Sequence, residues 1–89
     1  MYRVNSISIV SDRELDVQFD TGETKRCDIS RYFDKGLFRQ LSNPKLFRQV
    51  RAIPYGIEWP NEADLSSDTL FAIGQTIITQ IETVTEARS

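Results

Sequence analysis

Eighty-nine residues, 39% hydrophobic and 27% charged, describe one small globular domain and exclude a disordered chain. The sequence has no histidine and a single cysteine, Cys27. Those counts rule out Ser-His-Asp and Cys-His catalytic groupings, an intramolecular disulfide and a cysteine zinc cluster. The net charge of −2 conceals an asymmetry, with ten of the eleven Lys and Arg in residues 1–51 against seven acids. Opposite-sign halves of this kind can steer a partner or another copy of the chain, and the overall balance is unlike that of a dedicated nucleic-acid binder. No apolar run of signal or membrane-spanning length follows Met1, so a cytoplasmic protein without membrane contact is expected.

In chain order the sequence predicts an α+β domain of two layers. Residues 4–10 are rich in Val and Ile and read as a first strand. Leu15, Val17 and Phe19 alternate with Asp16 and Gln18, a period of two with one buried and one wet face. A turn at Asp20-Thr21-Gly22-Glu23 returns the chain through residues 24–29, with Cys27 and Ile29 facing inward. The result is a three-stranded antiparallel meander. Ser30 is the expected N-cap of a short helical segment ended by Gly36, and Asn43-Pro44 signals a further helix start. Val50, Ala52 and Ile53, then Ile57-Glu58-Trp59, form a hairpin about Pro54-Tyr55-Gly56.

Ser66 or Ser67 caps a final helix, whose stripe of Leu70, Ile73, Ile77, Ile81 and Val84 recurs every three or four residues. Gly74 weakens its middle, so the helix is expected to about that residue, while the β-branched run around Ile77 also tolerates a strand. The division expected is an α+β domain over residues 1–75 and a helical extension or tail over 76–89.

Chemistry-bearing groups are sparse. Cys27, in a strand beside Ile29, reads as a small core residue. The scattered carboxylates read as caps and solvated charge, and the four glycines form no phosphate loop, so no catalytic residue, metal or cofactor is expected. The case for nucleic acid lies in residues 25–51, where eight basic residues face only Asp28 and Asp34, with Tyr32, Phe33, Phe38 and Phe47 between them. Arg39, Arg48 and Arg51 are the candidate contacts. The competing reading makes the aromatics core and the charges their solvated rim.

The densest signature runs from Trp59-Pro60-Asn61-Glu62-Ala63-Asp64-Leu65 to Ser66-Ser67-Asp68-Thr69-Leu70-Phe71. With Phe19-Asp20-Thr21-Gly22-Glu23, Cys27-Asp28-Ile29 and Gly36-Leu37-Phe38, it resembles the bacterial domain of unknown function 2442, over residues 4–72. Members often carry glycine where this chain has Glu62, proline at Ser67, and a bulkier side chain at Cys27. The resemblance implies a small α+β domain that often neighbours another small protein in its operon, as toxin–antitoxin pairs do. Some relatives add a helix-turn-helix domain, for which the residues after Phe71 are too few.

Residue by residue, Trp59 can cover the core edge, Asn61 can close an Asx turn and Asp64 can tie the loop to the last helix. The alternative gathers Trp59, Asn61 and Asp64 into a polar-rimmed recognition pocket, to which Tyr55 is the optional fourth member. The function expected is a non-enzymatic protein-interaction domain, antitoxin-like or an adaptor, with a protein partner and a possible homodimer through residues 73–84. A nucleic-acid accessory role and, distantly, a carboxylate enzyme are the alternatives.

Overall fold

A computed structural model describes residues 1–77 and places the Leu15, Val17, Phe19 alternation at the centre of an antiparallel meander. Its strands are β1 (Val4–Ile9), β2 (Glu14–Phe19) and β3 (Thr24–Asp28). Leu15, Val17 and Phe19 are fully buried together with Cys27 of β3, while Asp16 lies opposite Arg26 on the wet face. A break in register after Val4 leaves Asn5 as a bulge in β1. Gly22 turns β2 into β3 with φ of 92°, conformational space that a side chain would strain.

Ile29 opens a 3₁₀ turn, Ile29–Tyr32, and its cap is Asp28, not Ser30. The Asp28 carboxylate accepts from both the Ser30 N–H at 3.0 Å and the Ser30 hydroxyl. Burial of Ile29 at the end of β3 starts the turn earlier than Ser30 allows, and Asp28 holds the extended backbone that a cap needs. A second 3₁₀ segment, Gly36–Ser42, precedes α1 (Pro44–Phe47), where Asn43 caps and proline takes the first helical position as expected.

Next come β4 (Arg51–Ile53) and β5 (Gly56–Glu58), with Ile53 opposite Gly56 and the turn made by Pro54 and Tyr55. The expected hairpin gains a third strand, β6 (Asp64–Ser66), which pairs with β5 through Ile57 and Leu65. Ser66 caps α2 (Ser67–Ile73), its hydroxyl accepting from the Thr69 N–H at 3.2 Å. The helix stops at Gly74, whose ψ of 152° is extended, so the stripe that the spacing continued to Ile77 breaks after Ile73.

The chain then becomes β7 (Gln75–Thr76), paired with Arg26 and Lys25 of β3, and the Ile77 N–H donates to the Thr24 carbonyl at 3.0 Å. The fold is therefore α+β, with a four-stranded sheet ordered β1-β2-β3-β7 and a three-stranded sheet ordered β4-β5-β6. Ile81, Val84 and most of the expected 76–89 extension lie outside the described residues.

One core joins the two sheets. Phe19, Ile29, Leu41, Phe47, Ile57 and Leu70 are fully buried, and each contributes about 1.5–3 kcal/mol by leaving water. Among the described residues no helix is long and apolar enough to cross a membrane.

Candidate functional site

The segment after β5 is built as a junction. The Trp59 side chain is 3% exposed and its indole N–H donates to the Phe47 carbonyl at 3.0 Å. Its backbone closes the loop, the Trp59 N–H meeting the Ala63 carbonyl and the Glu62 N–H meeting the Trp59 carbonyl. Asn61 makes the expected Asx turn, accepting from the Ala63 N–H at 3.1 Å. Its amide also donates to the Leu37 carbonyl and to Gln40 Oε1, at 3.1 and 3.0 Å, fixing the loop to the Gly36–Ser42 segment.

Glu62 adopts φ of 74° between these bonds, the left-handed conformation that glycine takes most readily. Ser67 donates its N–H to the Tyr55 carbonyl and its hydroxyl to the Tyr2 carbonyl, so a proline here would forfeit the first bond.

The four motif residues do not share one pocket. Tyr55 lies at the opposite end of β5 from Trp59, half exposed beneath the Arg3 guanidinium at 5.5 Å. Asp64 is exposed on β6 opposite Glu58, and Ser66 supplies the helix cap instead. A shallow cleft of about 400 Å³ is lined by Gln49, Arg51, Glu58, Trp59, Pro60 and Glu62, and of the four it includes Trp59 alone. The Arg51–Glu58 ion pair lies on its rim.

The basic stretch is distributed over several elements. Arg39 reaches the Asp34 carbonyl at 3.4 Å, Arg48 pairs with Asp12 at 2.8 Å and Arg51 with Glu58. Arg26 pairs with Asp16, whose hydrogen bond and charge raise the guanidinium pKa further. Lys25 donates to the Phe71 carbonyl at 3.1 Å and sits over that ring. The aromatics between them pack on one another, Phe33 against Phe47 and Tyr32 against Phe38.

Titratable chemistry is equally structural. Burial pushes the Cys27 thiol up to about 11, helped by Asp16 and opposed by Lys25. Its sulfur is fully covered and donates to the Leu70 carbonyl at 3.4 Å. Among the described residues no cluster of three or more Cys, Asp and Glu could hold a metal ion.

What sequence reasoning passed over is the outer edge of β1. The Val10 N–H donates to the Glu14 carbonyl, so Ser8 and Ser6 direct their backbone groups toward β2 and the alternate residues, Ile7 and Ile9, direct theirs away. Among the described residues nothing hydrogen-bonds those edge groups. At the start of β1 the Val4 N–H meets the carbonyl of Pro54, the residue after β4, at 2.9 Å. Ile9 and Val10 are 38% and 39% exposed, and residues 4–10 carry no charge. That uncharged run of alternating Ile and Ser was the available signal.

Known proteins add a family and little more. No curated protein and no solved structure matches the chain. The family model described as Protein of unknown function (DUF2442) matches residues 4–76, from the first residue of β1 to the last of β7. With the meander, the Trp59 junction and both sheets inside that span, the chain belongs to the DUF2442 family.

Proposed function

We propose that this chain is a non-enzymatic protein-interaction domain of the cytoplasm, an adaptor or antitoxin-like module, which meets its partner along the outer edge of β1. One observation carries the reading: among the described residues nothing pairs with the outward backbone donors and acceptors of Ile7 and Ile9, which lie beside the exposed side chains of Ile9 and Val10. An edge of this kind is a template for an added strand. Lysine and proline, the usual guards of such an edge, are absent from residues 4–10. The non-enzymatic part of the reading is supported by a covered thiol and by basic groups engaged with carboxylates.

Amide hydrogen exchange on the full chain tests this, free and dilute and then in whatever assembled state it forms, with itself or with a protein retained from its host. Protection should appear at the Ile7 and Ile9 amides on assembly. An assembled state in which both amides exchange as in the free chain would overturn the reading.

A further inference from the structure

We propose that the strand added to β1 is the β1 of a second copy, antiparallel and related by a two-fold axis at Ser8. This rests on the reading of the β1 edge as the interaction surface and names its occupant.

Three features of the edge point to self-pairing. The first is its length. The bulge at Asn5 and the approach of β4 close the Val4 end, and Val10 hands the chain to the turn before β2. Residues 6–10 remain, and Ser8 is their centre. The second is register. In an antiparallel pair two residues exchange both of their backbone bonds only when each directs its groups at the other. Ile7 and Ile9 are the residues that do so, and only the register placing Ile7 opposite the partner copy's Ile9 pairs both of them on each strand. Ser8 then faces its own copy as the pair without mutual hydrogen bonds. The third is charge. A residue on a two-fold axis meets itself, so an ionised side chain there would repel its copy. Residues 4–10 contain none.

The same register has a consequence for packing. Ile7 and Ile9 share the inner face of the sheet with Val17 and Leu15, yet Ile9 is 38% exposed because its end of the strand is uncovered. Pairing brings four isoleucines together there, two from each copy, while Ser6, Ser8 and Val10 line the wet face. The opposite edge is occupied by the chain's own β7. Two copies therefore close both open β1 edges at once and make one sheet of twice the strands, a closed pair with no edge left to propagate along β1.

The experiment places a cysteine on the axis. In a pair without mutual hydrogen bonds the Cα atoms stand about 4.5 Å apart, within disulfide reach. Ser8→Cys in the full chain should cross-link to a covalent dimer under mild oxidation, whereas Ser6→Cys, opposite the partner copy's Val10, should form no such cross-link. Cys27 is covered and serves both variants as a constant background.

Sedimentation equilibrium then reads the affinity. Ile9→Pro removes a donor that points away from β2, so the ladder inside the chain survives, and association should weaken at least roughly tenfold. Ser8→Lys should weaken it about fivefold, and mixing Ser8→Lys with Ser8→Glu should restore it.

Cross-linking of Ser8→Cys no faster than of Ser6→Cys, with wild type monomeric at every concentration, overturns self-pairing. If a host protein nonetheless protects the Ile7 and Ile9 amides, self-pairing alone has fallen. If no assembly protects them, the edge reading falls with it.

Discussion

The indole N–H of Trp59 and the carbonyl of Phe47 stand 3.0 Å apart inside the core, tying the last turn of α1 to the end of β5. Their rings are neighbours as well, with centroids 6.1 Å apart, and Phe38 packs edge-on to the indole. One side chain therefore holds the helical segment against the second sheet.

Trp59→Phe should cost about 1.5–3 kcal/mol, since it removes one of the bonds to the Phe47 carbonyl and leaves part of the indole volume empty. Trp59→Ala should cost about 3–5 kcal/mol. Urea unfolding followed by circular dichroism measures both. Near-wild-type midpoints would mean that the indole is not the junction's anchor.

Glu62 makes the opposite prediction. A non-glycine residue in the left-handed region costs about 1–2 kcal/mol, and glycine removes that strain while adding freedom to the unfolded chain. Glu62→Gly should stabilise by about 0.5–1 kcal/mol and Glu62→Val should destabilise by at least as much. Equal melting temperatures for the three proteins would contradict it.

Two other glycines differ in what surrounds them. At Gly56 a Cβ would collide with the Leu65 carbonyl and crowd Ser66 Cα, both backbone of the paired strand β6. At Gly74 it would meet the side chains of Lys25 at 2.7 Å and Cys27 at 3.1 Å, with the Leu70 carbonyl at 2.9 Å. Side chains give way more easily than a paired strand, so Gly56→Ala should cost about 3 kcal/mol and Gly74→Ala about 1–2. Denaturant midpoints give the order, and a reversed order would show that β6 can detach without loss.

The β6 strand also marks where the sequence stops being legible. The meander was readable because Leu15, Val17 and Phe19 repeat every second residue over a strand long enough to show it. Asp64-Leu65-Ser66 offers three residues and one apolar position, and its extended state comes from pairing with β5 rather than from its own pattern.

Gln75 and Thr76 are polar and set between Ile73 and Ile77, whose spacing imitates a helix. The exposed edge of β3 takes them as β7 once Gly74 has ended α2. At Asn61 a local bond decides, and the Asx turn to Ala63 follows from the residue type alone. A pocket of Trp59, Asn61 and Asp64 needs their side chains to converge, whereas the Asn61 amide turns to Leu37 and Gln40 and Asp64 lies exposed on β6, with Tyr55 at the far end of a three-residue strand.

Cys27 links burial to pH. Its thiol ionises at about 11 in the folded chain against 9.0 for an unperturbed thiol, chiefly because burial disfavours the thiolate, with Asp16 adding to the effect. The folded value is the higher one, so as pH rises the unfolded chain gives up its proton first. The neutral thiol's contribution is therefore complete below about pH 9 and is lost as pH climbs through about 11. The interval corresponds to roughly 2–3 kcal/mol at its upper limit. The comparison is with Cys27→Ala, which lacks the thiol and keeps every other side chain. Urea unfolding at a series of pH values should show the wild type's advantage shrinking between about pH 9 and pH 11. At about pH 8 a thiol reagent should modify the native chain far more slowly than the unfolded one, because the sulfur is covered. A stability difference that stays flat across that range would mean the thiol reaches solvent while the chain remains folded.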